Sequence, residues 1–275
     1  MSRPATEEIA CLEGIAKTEG IFLLEHVTGK TFAQLICQKV ILKDEEKKAF
    51  DRLIEQRKKG TPIQLILGNA YFLDFELEVR PGVFIPRPET EQLVERTIAE
   101  LASSPELIVE IGTGTGAIAI TLARHFPEAR IIATDLNPEA LVLARVNAEK
   151  LRVVERINFI QADLFNFPEA DKLSGMVDLI ISNPPYIPSS AIKKLPVEVR
   201  DYDPVLALDG GRDGFEKCKK ILDKLPDFLA PPGLGAFEID PLLYRPLKKY
   251  EKLSSLEFTF GVDNYENLRF LFVRQ

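Results

Sequence analysis

"VEIGTGTGAIAI", residues 109–120, decides how this chain folds. A short apolar run ending at Ile111 meets three alternating glycines, and a stretch rich in Ala and Ile follows at once. That order predicts a strand, a tight turn and the start of a helix. Gly112, Gly114 and Gly116 admit positive φ and let a ligand come close to the backbone. Such a turn at the carboxyl end of a strand is where open α/β sheets bind ligands. The loop Gly112-Thr113-Gly114-Thr115-Gly116 is therefore the first candidate site. Gly112, Gly114 and Ala117 also satisfy the looser dinucleotide fingerprint, so the loop by itself leaves the nucleotide open.

Working outward, apolar runs alternate with helical patterns. They are "LIVEIG" (107–112), a helix over 117–126, "RIIATDL" (130–136), a helix over 138–151, "INFIQAD" (157–163), "DLIISN" (178–183) and "GLGAFEID" (233–240). Near-continuous apolar strands separated by helices predict a parallel sheet covered on both faces. "LEFTFGV" (256–262) and "LRFLFVR" (268–274) are joined by a few polar residues and predict a closing antiparallel hairpin.

Upstream, residues 1–66 read as helical. "EEIACLEGIAKTEG" and "TFAQLICQKVI" suggest short helices, and "KDEEKKAFDRLIEQRKKG" (43–60) carries the clearest signals. Asp44 can cap it, Glu45 and Glu46 suit its positive end, and Arg57-Lys58-Lys59 precede Gly60 at the other. "NAYFLDFELEVR" (69–80) alternates like a hairpin, and Pro88 in "PRPETEQLVERTIAEL" suits a first helical turn. The expected organisation is a helical domain (1–66), a β-hairpin linker (67–83) and a doubly wound α/β domain (84–275).

With 275 residues, 45% of them hydrophobic, the chain has enough material for two cores. No 18-residue apolar run and no basic-then-apolar leader occurs, so a cytoplasmic protein is expected. Cys11, Cys37 and Cys218 form no paired motif and read as reduced thiols, and two histidines make a metal site unexpected. The net charge of −7 argues against a broad phosphate-binding surface. A small ligand or a protein partner fits better.

Three carboxylates stand near the strand ends. Asp135 ends the strand after the glycine loop, where a carboxylate accepts from ribose hydroxyls, with an Asx-turn before "NP" as the lesser alternative. Asp163 is placed to accept from an adenine amine, with Leu164 and Phe165 near the ring, or else to cap a helix. Glu110, inside an apolar strand, needs a partner such as a ligand ammonium or a neighbouring base. One more strand ends abruptly in "SNPPY" (182–186). Pro184 and Pro185 have no N–H and fix φ, which makes either a rigid turn or a pre-shaped pocket wall.

The glycine loop, Asp135, Asp163 and "SNPPY" together resemble the class I S-adenosylmethionine-dependent methyltransferases. Within that group, Asn/Asp-Pro-Pro-Tyr/Phe marks enzymes that methylate planar nitrogens. The resemblance implies S-adenosyl-L-methionine as cofactor, held by the loop, Asp135, Asp163, Leu164 and Asn183. It also implies Asn183, Pro184, Pro185 and Tyr186 as the catalytic and substrate-binding corner. A planar nitrogen resists alkylation because its lone pair is delocalised. Two acceptors on its N–H bonds, the Asn183 side-chain oxygen and the Pro184 carbonyl, orient it and stabilise the charge that develops. Tyr186 offers a flat face for an amide or a base.

The rest of the chain is similar to the HemK/PrmC-type protein-(glutamine-N5) methyltransferases. The resemblance rests on "RKKGTPIQLILG" (57–68), "VFIPRPETEQLVE" (83–95), "SNPPYIP" and "EVRDYDPVLALDGGRDGF" (198–215). It implies that the chain methylates the glutamine of the Gly-Gly-Gln loop of class 1 peptide chain release factors, with the helical domain helping to dock them. A ribosomal-protein glutamine, an adenine N6 in nucleic acid and a non-catalytic nucleotide-binding scaffold are the alternatives. "FEID" (237–240) departs from the family's usual Leu-Glu-Ile-Gly, and the chain's end lacks its Asp-Arg close. Both departures are expected to lie away from the reacting centre.

Overall fold

The computed structural model describes residues 4–10 and 12–275, so Cys11 lies outside the described residues. The chain divides into two units, 1–69 and 70–275.

In the first unit the helices are α1 (Ala5–Ala10), α2 (Lys17–Thr28), α3 (Phe32–Cys37), α4 (Asp44–Lys58) and α5 (Ile63–Leu67). Ile9, Leu23, Leu24, Leu35, Phe50 and Ile54 close a shared apolar core. Asp44 does not cap α4. It is the first helical residue, Lys43 takes the extended capping geometry, and Glu46 reaches back to accept the Lys43 N–H at 2.8 Å. A carboxylate at the third helical position can satisfy that donor where an Asp at the first cannot.

The hairpin β1 (Asn69–Phe72) and β2 (Phe75–Glu78) follows, all of it but Asn69 in the second unit. Phe72, Phe75 and Leu77 bury their side chains in the same core as Ile108, Leu122 and Phe270, so the hairpin is packed structure rather than a free connector. Then come α6 (Pro88–Glu100), β3 (Leu107–Ile111), α7 (Ala117–His125), β4 (Arg130–Asp135), α8 (Pro138–Lys150), β5 (Ile157–Gln161), β6 (Val177–Ser182), β7 (Leu229–Glu238), β8 (Glu257–Val262) and β9 (Leu268–Arg274).

The larger sheet has seven strands in the order β5-β4-β3-β6-β7-β9-β8. β5, β4, β3, β6 and β7 pair in parallel, and β9 runs antiparallel to both β7 and β8. Along β3 successive residues serve opposite faces: Ile108 enters one core and Val109 the other. That explains why these strands read as unbroken apolar runs. β7 starts earlier than its apolar pattern suggests, at Leu229, and slips register against β6 between Val177 and Leu179. From β3 the chain builds outward to β4 and β5, then crosses back to add β6 on the other side. The crevice at the carboxyl ends of β3 and β6 is the topological switch point, where a ligand is expected.

Candidate functional site

A cleft opens at that switch point, lined by the glycine loop, Glu110, Asp135, Asp163, Leu164 and the corner Asn183 to Tyr186. The loop is held from below, since Gly112 N–H and Thr113 N–H both donate to the Thr134 carbonyl at the end of β4, at 2.8 and 2.9 Å. Gly112, Gly114 and Gly116 all have positive φ, at 78°, 55° and 85°. A Cβ at Gly112 or Gly114 would project into open space, whereas one at Gly116 would press on Ala144 of α8. Gly112 to Thr115 therefore form the cleft wall, and Gly116 stands apart as the contact that brings α7 close to α8. Asn147, fully buried on α8, donates to the Thr115 carbonyl at 3.0 Å and exchanges two hydrogen bonds with the backbone of Glu78. One amide thus fixes the loop and the hairpin together.

Asp135 has two tasks at once. Its Oδ1 accepts from Asn137 N–H and its Oδ2 from Gly114 N–H, both at 2.8 Å. The Asx-turn reading of the sequence is realised, and each oxygen keeps a second lone pair for a ligand hydroxyl. Burial raises its pKa while the backbone donors at Asn137 and Gly114 lower it. Asp163 is exposed and begins a tight turn to Asn166, so it caps no helix. Leu164 takes φ 56° there and is among the residues that line the cleft. Phe165 does not join it. Its ring stacks on Phe228 inside the core, with centroids 4.5 Å apart.

Glu110 is completely buried. Oε2 accepts from Thr113 Oγ1 at 2.7 Å and from Ala119 N–H at 3.1 Å, while Oε1 has no hydrogen-bond partner. Desolvation pushes its pKa up to about 8. A buried carboxyl oxygen without a donor, beside a cleft walled by glycine backbone and the α7 N-terminus, fits a nucleoside ligand carrying a cationic amine.

The second wall is the proline corner. β6 ends at Ser182, whose hydroxyl donates to the Ile111 carbonyl at 2.7 Å, and the chain then turns through Asn183, Pro184, Pro185 and Tyr186. The segment 205–214 clasps this corner. Ile187 N–H donates to Leu208 O and Gly210 N–H to Ile187 O, at 3.0 and 2.9 Å. Behind the corner, Asn183 Nδ2 donates to Thr90 Oγ1 at 3.0 Å. Thr90 Oγ1 in turn donates to Glu238 Oε2 at 2.6 Å, and the Tyr186 hydroxyl donates to Glu238 Oε1 at 3.2 Å. The expectation that "FEID" lies away from the centre is therefore overturned: its Glu238 is one residue removed from Asn183 through Thr90. Sequence reasoning missed Thr90 altogether, and the charge of Glu238 inside an apolar strand was the available signal.

Phe84 and Pro86, from the segment before α6, line the same cleft, and the Arg87 guanidinium lies 5.2 Å from the Phe84 ring. Arg87 also pairs with the buried Asp203 at 2.6 Å, joining that segment to the loop after β6. No group of metal-ligating side chains is positioned to hold an ion among the described residues. Nor is any helix among them long and apolar enough to cross a membrane.

Residues 108–229 match the methyltransferase domain family and residues 5–68 the PrmC N-terminal domain. A release factor glutamine methyltransferase of Chlorobaculum tepidum is 41% identical over 79% of this chain and 76% of its own length. One from Mycolicibacterium smegmatis is 44% identical over 70% of this chain and 66% of its own length. This chain thus spans about two thirds to three quarters of those relatives. A methyltransferase structure from Pyrococcus furiosus superposes with a TM-score of 0.52 at 20% identity, covering 74% of this chain and 89% of that one, and shares its fold. With its sheet order and its two matched domains, the chain belongs to the release factor glutamine methyltransferase family, within the class I methyltransferases that use S-adenosyl-L-methionine.

Proposed function

We propose that this protein methylates the side-chain amide nitrogen of the glutamine in the Gly-Gly-Gln loop of class 1 peptide chain release factors. The observation that supports the reading most directly is that the glycine loop and the Asn183–Tyr186 corner line one cleft. Bound there, S-adenosyl-L-methionine supplies a methyl group activated by its sulfonium. Gly112 to Thr115 and Asp135 would hold the nucleoside, with Asp163 and Leu164 at the base and the free Glu110 oxygen toward the amine.

Asn183 Oδ1 and the Pro184 carbonyl accept the two N–H bonds of the incoming carboxamide. That grip turns its nitrogen toward the donor and steadies the positive charge that grows on it. Neither proline offers an N–H to compete. Tyr186 is held in place by Glu238, and burial and that carboxylate keep its phenol protonated, so it serves as a fixed flat wall and not as a base. The cytoplasm is the proposed place of work.

Adenine in nucleic acid is the less favoured acceptor because the net charge is −7. The test is incubation with labelled S-adenosyl-L-methionine and either a purified class 1 release factor or nucleic acid. Label on the glutamine of the Gly-Gly-Gln loop is expected. Label in RNA or DNA alone reverses the reading.

A further inference from the structure

Asn183 can present either face of its carboxamide to the cleft, and only one of them helps. With Oδ1 outward it accepts a substrate N–H; with Nδ2 outward it donates and repels that N–H. The choice is made behind the corner, where Thr90 and Glu238 are 5% and 2% exposed. An ionised carboxylate is only an acceptor. Its two oxygens here take two hydroxyl protons, one from Thr90 and one from Tyr186. Once the Thr90 proton is committed to Glu238, the Thr90 oxygen has only lone pairs left to offer Asn183, and Nδ2 must turn inward to meet them.

We infer that Thr90 and Glu238 are positioning residues that set the amide face of Asn183, and thereby make the site select a carboxamide over the isosteric carboxylate. The inference rests on the assignment of Asn183 as the amide-gripping residue. A glutamate side chain has nearly the shape of glutamine but brings no N–H, so an outward Oδ1 meets it with like charge and no bond. Discrimination of this kind is large because a buried acceptor is left unpaired by the wrong substrate.

The state of Glu238 matters for the same reason. Burial raises its pKa to about 7, while the hydroxyls of Thr90 and Tyr186 and the guanidinium of Arg269 on β9 pull it down; Glu89 on α6 pushes it up. Asp240, just beyond β7, acts on Tyr186 in the same direction as Glu238 does. A protonated Glu238 can donate to Thr90, free the Thr90 proton for Asn183 Oδ1 and reverse the whole chain of donors. Turnover then falls on the acid side of about 7.

The experiment compares wild type, Thr90→Val, Thr90→Ser, Glu238→Gln and Asn183→Ala. Turnover is measured on a class 1 release factor, together with equilibrium binding of that factor and of its counterpart carrying glutamate in place of the glutamine. Thr90→Val is expected to lower kcat about 10²-fold, the scale of a slightly misplaced group at a reacting centre. It should also shrink the preference for glutamine over glutamate, with S-adenosylhomocysteine affinity unchanged. Thr90→Ser, which keeps the hydroxyl, should restore both, and Glu238→Gln should remove the acid limb of the kcat profile. Normal turnover and preference in Thr90→Val, beside an inactive Asn183→Ala, overturns the inference alone. So does a loss in which nucleoside affinity and thermal midpoint fall in step with kcat, or one that serine does not restore. An active Asn183→Ala instead sinks the amide-gripping assignment beneath it.

Discussion

Gly210 lies so near Pro185 that a Cβ on it would come within 2.7 Å of the Pro185 carbonyl oxygen. The same atom would crowd the Tyr186 Cα at 2.8 Å. The segment "DGGRDG" is thus a backbone clasp on the proline corner, and its glycine is required by contact with that corner. Gly210→Ala is expected to destabilise the protein by about 1–3 kcal/mol, the usual cost of overpacking. It should also lower turnover while leaving nucleoside affinity near wild type. Thermal unfolding and single-turnover kinetics on the same preparation check both parts.

Asn183→Ala removes the side-chain acceptor and keeps both prolines. A loss of roughly 10²–10³-fold in kcat is expected, as for other pre-organised polar groups at a reacting centre. Binding of S-adenosylhomocysteine, measured by calorimetry, should change little.

Asp135→Ala should divide the other way. It releases the Gly114 and Asn137 N–H groups as well as the proposed ribose acceptor. Nucleoside affinity should weaken by about 10–100-fold, equivalent to one or two hydrogen bonds to a charged group. Turnover at saturating donor should fall much less. Titration showing wild-type affinity would remove Asp135 from the binding set.

Glu110 makes stability depend on pH. Its ordinary pKa is 4.5 and the folded value is about 8, so between those values the native state holds a proton that the unfolded chain has released. Stability from this group is complete below about 4.5 and is lost as pH rises toward 8. Glu238 behaves alike up to about 7. Without ligand, the thermal midpoint of wild type should therefore drop as pH is raised across that span, and Glu110→Gln should flatten the drop. A ligand ammonium would favour the ionised form, so nucleoside binding should release a proton, read from the buffer dependence of the binding enthalpy. Equal slopes in the two proteins, or no proton release, would falsify this account of Glu110.

What could be read from the sequence was whatever repeats over short distances. β3 and the glycine turn were legible because a buried parallel strand is a continuous apolar run and because positive φ calls for glycine. β9 was found with its limits intact for the same reason. Phe165 was misplaced because a turn at Leu164 with positive φ redirects the following side chain into the core, and nothing in "DLF" signals that turn. Glu238 was dismissed because its partner Thr90 lies 148 positions away. Periodicity says nothing about a hydrogen bond across that distance.

The placement of β7 carries one more consequence. Thr90, the glycine loop and Asn183 all precede residue 229, whereas Glu238 arrives on a strand wedged between β6 and β9. In chain order the cleft's glycine wall and its asparagine therefore come well before the carboxylate that accepts from Thr90. Of the strands, only β8 and β9 follow it, so a chain cut short of β7 keeps the glycine wall and the asparagine but lacks the carboxylate behind Thr90.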